Sequence, residues 1–341
     1  MFGIVVISLS VLLAVFAYFI APDPTPYANR IILEIGRKRP GSSQTFLKLK
    51  KEKSVIARHF FSRLVSGKED VYYYMPIAGY EKKGDSIIIQ KFIDEDVSER
   101  QAYQVSQTDQ QHPVVTKKFL FGTDTYGRDI LSRLIVGIRV SLSVGLITVI
   151  ISLTIGLLLG SLAGYFRGRT DDLIMWFINV IWSIPTLLLV FAITLVLGKG
   201  FWQVFVAVGL TMWVSVARLV RGQVLNAREL EYVEAARALG YSNLRIIARH
   251  ILPNIMGPVM VIAASNFASA IVIEAGLSFL GVGVQPPQPS WGLMIKENYT
   301  FIITQNPMLA LAPGFAIMLL VLAFNLLGNG LRDALNVRGR I

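Results

Sequence analysis

The stretch "EYVEAARALGYSNLRIIARHILPN", residues Glu231–Asn254, lies between two long apolar segments, yet it contains three arginines, two glutamates and a histidine. Leu230, Val233, Ala236 and Gly240 follow one another about one turn apart, which predicts a short helix with a narrow apolar face. Glycine adopts the left-handed backbone conformation that ends many helices. The sequence therefore predicts a first helix that ends at Gly240.

A second short helix is predicted after this glycine. Ser242 is a suitable N-cap, and apolar side chains then recur at helical spacing at Leu244, Ile247, Ala248 and Ile251. Proline disfavours helical backbone at the preceding residue, so we expect Pro253 to end this helix. Such a pair is too short and too polar to span a bilayer. It can lie on lipid headgroups or dock to a cytoplasmic protein, and its glutamates slightly favour the protein because anionic lipids repel carboxylates.

The rest of the chain has the composition of an integral membrane protein. Of its 341 residues, 53% are hydrophobic and only 16% are charged, and the apolar residues form runs long enough to cross a bilayer as helices. Six such segments are predicted: Phe2–Ile20, Val136–Tyr165, Leu173–Leu197, Phe201–Val220, Ile255–Leu280 and Met308–Leu327. The first has no basic residue before it and is long for a signal peptide, so we expect a retained helix.

Residues 21–120 differ from these apolar runs and predict a small inserted domain of mixed α and β structure. Ile56, Phe60 and Leu64 recur at helical spacing, which predicts an amphipathic helix. The runs VYYYMPIAGY and SIIIQKFI read as strands around a turn, EKKGD. The predicted organisation is thus a first helix at 1–20, the insert at 21–120, and a helical core at 121–341.

The distribution of basic residues predicts the orientation of the chain. If the N-terminus is cytoplasmic, six spans leave only Lys199 and Lys296 in the short outer loops, as the positive-inside rule requires. The inner regions then hold Arg167, Arg169, Arg218, Arg221, Arg228, Arg237, Arg245, Arg249, Arg332, Arg338 and Arg340. The net charge of +11 is therefore attributed to membrane-flanking residues rather than to nucleic-acid binding. This places Glu231–Asn254 and the C-terminus in the cytoplasm and the long insert outside.

Several classes of chemistry are excluded or disfavoured. The chain has no cysteine, which rules out disulfides and thiol catalysis, and it lacks the G-x-x-x-x-G-K-[ST] loop that cradles nucleotide phosphates. His59, His112 and His250 are far apart in sequence, so no metal site is predicted. Asp124 and Asp129 are expected to cap a short helix.

The charged stretch also resembles a known motif. "EAARALGYSNLRIIARHILP" is similar to the EAA loop of permease subunits of bacterial ABC importers, with the pattern carried by Glu234, Ala235, Ala236, Gly240, Leu252 and Pro253. His250 occupies a position that is aliphatic in the general pattern, and "RHILPN" resembles the peptide and nickel branch. "FGTDTYGRDILSRLIVGIRVSL" (Phe121–Leu142) and "EAGLSFLGVGVQPPQPSWGLM" (Glu274–Met294) resemble stretches of the same branch.

Over Phe121–Arg338 the chain most resembles the C-type permease subunit of oligopeptide or dipeptide importers. This implies an all-α membrane protein with six transmembrane helices of the type I ABC importer kind, here with an extracytoplasmic α+β insert between helices 1 and 2. The insert is longer than expected for that subunit. Trp176 and Asn179 stand where relatives often carry an arginine and an aspartate.

The resemblance implies the subunit's role and partners. It implies a bacterial inner-membrane permease, not an enzyme, that pairs with a homologous permease to form the translocation pathway. Two cytoplasmic ABC ATPase subunits would bind ATP and Mg²⁺, an extracytoplasmic binding protein would deliver substrate, and this chain would hold no cofactor. The loop at 229–254 would be the coupling helix, with contacts from Glu234, Ala235, Ala236, Gly240, His250, Leu252 and Pro253.

Polar residues inside the predicted spans are the candidates for the pathway wall. Glu274 is the first, because an intramembrane carboxylate is costly and usually functional; the alternative is a structural hydrogen bond. Asn266 and Asn179, with Asn325, are further candidates, although asparagines often join neighbouring helices.

Other functions remain as alternatives. A nickel or other small-solute ABC importer differs only in cargo. An ion-coupled secondary transporter is expected to show inverted repeats and broken helices in corresponding positions, and none is evident. A membrane-anchored enzyme or sensor would use the insert as its active domain, but its histidines show no catalytic spacing.

Overall fold

The computed structural model describes residues 1–52, 59–94, 97–303 and 306–335. The chain divides into two compact units. The sheet unit comprises Val11–Val140 and Pro286–Phe315, and the helical unit comprises Met1–Ser10, Ser141–Gln285 and Ala316–Ile341. The α-helices, in chain order, are α1 Phe2–Val15, α2 Ala17–Ile20, α3 Phe60–Ser66, α4 Ile130–Phe166, α5 Gly168–Trp182, α6 Thr186–Leu197, α7 Phe201–Ala227, α8 Glu231–Ala238, α9 Asn243–Ile246, α10 Leu252–Phe279, α11 Trp291–Asn298 and α12 Met308–Leu335.

A five-stranded antiparallel sheet forms the centre of the sheet unit. Its strands are β1 Ser42–Lys50, β2 Tyr72–Lys83, β3 Ser86–Asp94, β4 Val97–Gln104 and β5 Val114–Phe119, in the spatial order β4-β3-β2-β1-β5. The two strands predicted from sequence are confirmed as β2 and β3, which pair through a tight hairpin with Lys83 opposite Ser86. Strands β1, β4 and β5 were not predicted.

The sheet buries apolar side chains in two clusters. One contains Leu47, Met75, Ile77, Ile87 and Ile89, and the other contains Ile32, Ile35, Phe46 and Phe119. The predicted amphipathic helix is present as α3, while Ile56 of that prediction lies outside the described residues. The insert is therefore a packed α+β structure with its own core.

Long apolar helices form the helical unit, and they bear out a multi-span membrane protein. Within the described residues, four helices are long and apolar enough to cross a membrane: α4, α7, α12 and the continuous helix Asn243–Phe279. The pair α5–α6 counts as a fifth at most, because the two helices are bent by 90°. Helix α1 is apolar but has only 14 residues. By length and composition the helices thus give four or five spans.

Prolines change two of the predicted helices. The segment Leu173–Leu197 was predicted to be one span, and it is interrupted before α6, where Pro185 disfavours helix at Ile184; the bent pair α5–α6 can still count as one broken span. The prediction that Pro253 ends a helix was wrong: it lies at the start of α10, directly after a π-helical turn in which the regular α-helical hydrogen bonding is already interrupted. A π-helical turn at Ile247–Ile251 joins α9 to α10, and the three segments form one helix of 37 residues.

Close packing of α4 against α7 positions the charged stretch of the sequence. Gly156, Gly160 and Gly164 recur every four residues on α4, and a Cβ at any of them would lie within 3.0 Å of an α7 atom. Such small-residue stripes allow helices in membranes to approach closely. The C-terminal half of α7 is thereby fixed against α4, and α8 follows directly from it.

Candidate functional site

Residues 231–254 form the predicted helix and turn, and the second predicted helix is the start of the 37-residue helix Asn243–Phe279. Helix α8 ends in a Schellman motif, in which Gly240 N donates to Arg237 O over 3.0 Å and Tyr241 N donates to Ala236 O over 3.2 Å. Gly240 has φ +78, the left-handed conformation that the sequence predicted. Ser242 stands at the N-cap of α9 with extended backbone, but its side chain makes no capping bond to the described residues.

The two faces of α8 point to different surroundings. Val233 and Ala236 are buried at 0% and 4% exposure in the core formed by α7 and α10. Glu234 and Ala235 are exposed, and Leu239 exposes 72% of its surface. Ala236 was predicted to be among the partner contacts of this segment. Its small side chain instead lets α8 approach its own core, because that position of the helix faces inward.

The turn between the two helices is held by stacked side chains. The rings of Tyr241 and His250 stack with centroids 5.7 Å apart, and the guanidinium of Arg245 lies 4.5 Å from the Tyr241 centroid. The backbone carbonyl of His250 accepts a hydrogen bond from Asn254 Nδ2 over 2.7 Å. His250 therefore braces the turn from within the chain. Leu244, near the start of the second helix, is 72% exposed.

Tyr165 at the end of α4 ties this segment to the long helices. Its hydroxyl donates to Asn243 Oδ1 over 2.9 Å, and its backbone carbonyl accepts from Arg228 NH1. The guanidinium of Arg237 lies 5.8 Å from its ring centroid. The 231–254 segment is thus a rigid projection that presents Glu234, Ala235, Leu239 and Gly240 outward.

A second feature of the helical unit is a cavity of about 530 Å³. Its lining comes from α5, α6, α7, α10 and α12, and it consists of Trp182, Thr186, Thr211, Met212, Val214, Ser215, Asn266, Ala268, Ser269, Val272, Ile273, Val321 and Asn325. Every polar group in this lining is a neutral hydroxyl, amide or indole. Asn266 is 6% exposed, and its Nδ2 has no hydrogen-bond partner among the described residues. A buried amide donor of this kind suits a carbonyl or carboxylate oxygen of a bound molecule.

The structure separates the four predicted pathway residues. Asn266 lines the cavity, as does Asn325, whereas Glu274 and Asn179 do not. Glu274 is fully buried and accepts a hydrogen bond from Ser278 Oγ over 2.6 Å, and Ser278 Oγ in turn accepts from Val284 N over 3.0 Å. That geometry favours the structural alternative for Glu274, because the hydrogen bonds through Ser278 hold the turn after α10; its place in the pathway stays a prediction.

Asn179 belongs to a polar group that the sequence did not reveal. Its Oδ1 accepts a hydrogen bond from Arg218 NH2 over 2.6 Å, and the Arg218 guanidinium lies 3.5 Å from the ring centroid of Trp182. One turn further along α7, Arg221 forms a bidentate ion pair with Asp171. These contacts join α5 to α7. The cavity residues Ser215 and Ser269 were also missed, because isolated serines in apolar runs carry no distinguishing pattern.

In the sheet unit, the stretch FGTDTYGRD forms a buried charge network. Arg128 donates to Asp124 over 2.6 Å and to Glu297 over 2.8 Å, and Arg133, 1% exposed, lies 3.6 Å from Glu297. Asp129 Oδ2 accepts from Ser132 N over 2.9 Å. Asp129 thus caps the long helix α4 rather than a short one, and Asp124 fixes the preceding turn.

A second, half-buried cluster of charged side chains in this unit surrounds Tyr74. The Lys117 ammonium and the Arg30 guanidinium lie 4.0 and 4.4 Å from the Tyr74 ring centroid. Arg30 is paired with Asp70 at 2.6 Å. Burial, with a further contribution from the charge of Arg30, lowers the pKa of Lys117 to about 8. Across 1–52, 59–94, 97–303 and 306–335, no three histidine, aspartate or glutamate side chains are grouped to hold a metal ion.

Comparison with known proteins finds a family and several relatives. The family model described as binding-protein-dependent transport system inner membrane component matches residues 156–340. The glutathione transport system permease protein of Pectobacterium atrosepticum is 43% identical over 215 residues, which are 63% of this chain and 71% of the relative. The dipeptide transport system permease protein of Alkalihalophilus pseudofirmus is 44% identical over 216 residues, with the same two coverages.

A further relative and a solved structure extend the comparison. The oligopeptide transport system permease protein of Bacillus subtilis is 37% identical over 225 residues, 66% of this chain and 73% of the relative. A methionine ABC transporter solved in inward-facing conformations aligns with a TM-score of 0.48 at 19% identity, covering 60% of this chain and 97% of that one.

Proposed function

This chain belongs to the family of binding-protein-dependent transport system inner membrane components, and from that premise we propose that it is the peptide-conducting permease subunit of an ATP-driven importer. As a member of the family it is a multi-pass inner-membrane permease component and not an enzyme. Beyond family membership, we propose the cargo, the partner subunits, the side of the membrane on which each segment lies, and the residues that contact the partners and the cargo.

The observation that carries the proposal is the rigid 231–254 segment. A transport chain that lacks its own phosphate-binding loop must receive the energy of ATP hydrolysis through a contact surface. Glu234 and Ala235 on α8 and Gly240 in the turn after it are exposed. Tyr165 holds this segment through its hydrogen bond to Asn243, and Tyr241 holds it by stacking on His250. We propose that this surface seats in a cleft of a cytoplasmic ABC ATPase, with one such subunit for each of two homologous permeases. His250, Leu252 and Pro253 would act by positioning this surface.

The membrane topology follows from that docking. With α8 in the cytoplasm, the sheet unit's insert lies on the extracytoplasmic side, where a substrate-binding protein delivers cargo. Six spans result if α1–α2 crosses the bilayer as one helix and α5–α6 crosses as one bent span. ATP and Mg²⁺ would bind to the ATPase subunits. Closure of the ATPases on ATP would shift the permease between inward-open and outward-open states, which is a two-state equilibrium driven by differential contacts.

The neutral cavity supports a peptide as cargo. Its hydroxyl and amide groups can hydrogen-bond peptide groups without selecting the charge of a side chain. Relatives named for transport of glutathione, dipeptides and oligopeptides agree with this chemistry. Nickel remains the alternative cargo, although the lining contains no histidine or carboxylate that would bind it.

Reconstituted transport tests the proposal. The chain, purified with its accompanying permease, ATPase and binding protein, is placed in liposomes containing ATP and Mg²⁺, and uptake of a labelled dipeptide and of ⁶³Ni²⁺ is measured. We expect ATP-dependent dipeptide uptake. Uptake driven by an ion gradient without ATP would contradict the importer class, and nickel uptake alone would contradict the peptide cargo.

A substitution in the cavity tests the pathway separately. Asn266→Leu removes the amide donor at nearly constant size, and one lost neutral hydrogen bond is worth about 0.5–1.5 kcal/mol. We expect a rise in the transport KM of about 2- to 10-fold with the complex still assembled. An unchanged KM would remove Asn266 from the pathway while leaving the docking proposal intact.

A further inference from the structure

An exposed apolar surface lies where the first helix of the chain ends. We call it the aromatic patch, and it consists of Phe16, Phe19, Ile20, Phe60, Phe61 and Val65. Each of these side chains exposes between 41% and 76% of its surface. Large apolar side chains that are grouped at a surface mark a contact with a partner or a membrane.

The fold divides α2 and α3 into a buried side and an exposed side. Ala17 and Tyr18 are buried at 0% and 7% exposure in a cluster with Val136 at the start of α4. The neighbouring Phe19 points away from that cluster, and its ring centroid lies 5.3 Å from that of Phe60 on α3. The exposed sides of the two helices thus form one continuous surface.

Helix α3 is held rigidly in this position. Gly67, with φ +75, ends the helix, and a Cβ there would lie 2.6 Å from Pro24 O and 2.9 Å from the Tyr18 ring. Lys68 N donates to Pro24 O over 2.8 Å, and Arg139 NH1 donates to Val65 O over 3.1 Å. The exposure of the patch is therefore a fixed feature of the packing, not the result of a detached segment.

Two observations identify the occupant of this surface. First, the patch continues the apolar stripe of the α1–α2 helix, on which Leu12 is 55% exposed one turn before Phe16. Second, its rim is basic: Arg63 and Lys68 are exposed, and the Arg63 guanidinium lies 5.3 Å from the Phe19 centroid. Apolar surface that extends a membrane helix and carries basic groups at its edge matches the boundary between acyl chains and headgroups.

We propose that the aromatic patch inserts into the bilayer and that α3 lies as an interfacial helix in the leaflet where the α1–α2 helix ends. Phe60, Phe61 and Val65 enter the acyl boundary, and Arg63 and Lys68 meet the lipid phosphates. The insert is thereby fixed to the membrane surface by a second contact besides its covalent links to the membrane helices.

Spin labelling tests this contact directly, because the chain contains no cysteine that would take up label. A nitroxide is attached at Phe61→Cys in the full chain, which is purified and labelled by itself before it is combined with its accompanying subunits and reconstituted in liposomes of phosphatidylethanolamine and phosphatidylglycerol. Its collision rates with oxygen, which concentrates in lipid, and with a water-soluble nickel chelate are measured by power saturation. Tyr80→Cys is the matched control, because Tyr80 is an aromatic residue of β2 with 57% exposure.

The proposal predicts more oxygen than nickel accessibility at Phe61→Cys and the reverse at Tyr80→Cys. Nickel accessibility at Phe61→Cys equal to that of the control would overturn it, because the patch would then lie in water. Low accessibility to both reagents would also overturn it, because a protein would then cover the patch. Val65→Cys, at a position that is 64% exposed, gives the same measurement if the first variant does not fold.

Discussion

Substitution of Gly240 by valine separates docking from folding. Gly240 has φ +78, and nothing in the chain lies within 4 Å of a Cβ built on it. An L-residue in this backbone region costs about 1–2 kcal/mol, and no steric clash within the chain adds to that. The substitution should therefore leave the permease folded and in the membrane.

Gly41 provides a matched control for backbone strain. It has φ +80, and it too has nothing within 4 Å of a built Cβ. Gly41→Val therefore carries about the same strain penalty as Gly240→Val, but it lies next to β1 rather than in the 231–254 segment. We expect similar, small decreases in thermal unfolding temperature for both variants.

The two variants should differ in assembly and transport. If Gly240 is seated against an ATPase, the added side chain overpacks that interface at a cost of about 1–3 kcal/mol, which corresponds to roughly 5- to 150-fold weaker binding. The assay is the yield of ATPase subunits that co-purify with the tagged chain, together with ATP-dependent dipeptide uptake. Equal co-purification and uptake for Gly240→Val and Gly41→Val would refute the docking role of this turn.

Three further substitutions test the packing. Glu297→Gln should destabilise the purified chain by about 1–3 kcal/mol because it weakens a charge-assisted hydrogen bond to the buried Arg128, which keeps its pair with Asp124, whereas the exposed Glu81→Gln should change stability by less than about 0.5 kcal/mol; equal melting temperatures would contradict this. Ser278→Ala should cost about 1–3 kcal/mol through its lost hydrogen bonds, while Ser141→Ala, whose buried hydroxyl has no partner among described residues, should cost less in the same melts. Lys117→Met should stabilise the protein at pH 7.5, and its advantage over wild type should shrink as the pH rises from about 8 towards 10.5, because the folded state loses this proton before the unfolded chain does. A pH-independent difference in melting temperature would rule out that titration.

Sequence patterns located most helices but not their interruptions. Long apolar runs identify helices such as α7 and α10, because a bilayer requires about 20 such residues. The length of the apolar run also predicted Leu173–Leu197 as one uninterrupted span, because the 90° bend between α5 and α6 does not change the hydropathy of the segment. Pro253 shows the opposite error. The rule that proline disfavours helix at the preceding residue predicted the end of a helix there, but the helix continues through a π-helical turn into α10.

The sheet was predicted only where its strands are apolar. Strands β2 and β3 contain long apolar or aromatic runs, whereas β4, VSERQAYQ, is an edge strand that is mostly exposed. An exposed edge has no buried face to impose alternation on its sequence. Its assignment depends on pairing with β3, which is a tertiary property.

Sequence patterns also could not show which polar residues of the predicted spans line the cavity. The cost of burying a carboxylate placed Glu274 first among the pathway residues, but the hydrogen bond that it accepts from Ser278 depends on the folded structure. Asn179 meets Arg218 across 39 positions of sequence, and no local spacing predicts such a pair. Asn266 alone of the three lies where the cavity opens.

The unbroken helix Asn243–Phe279 gives the permease a mechanical property. At about 1.5 Å per residue, roughly 28 Å of continuous helix separates Ile247, beside the outward-facing turn, from Asn266 on the cavity wall. A stiff rod of this kind transmits a push along its axis with little loss. No linker lies between the two ends to absorb the motion, so a displacement of the turn is also a displacement of the wall. The weak points of the rod are the π-helical turn at Ile247–Ile251 and the prolines Pro253 and Pro258, because each interrupts the regular backbone hydrogen bonding, and any bending that reduces the displacement of the cavity wall should concentrate there.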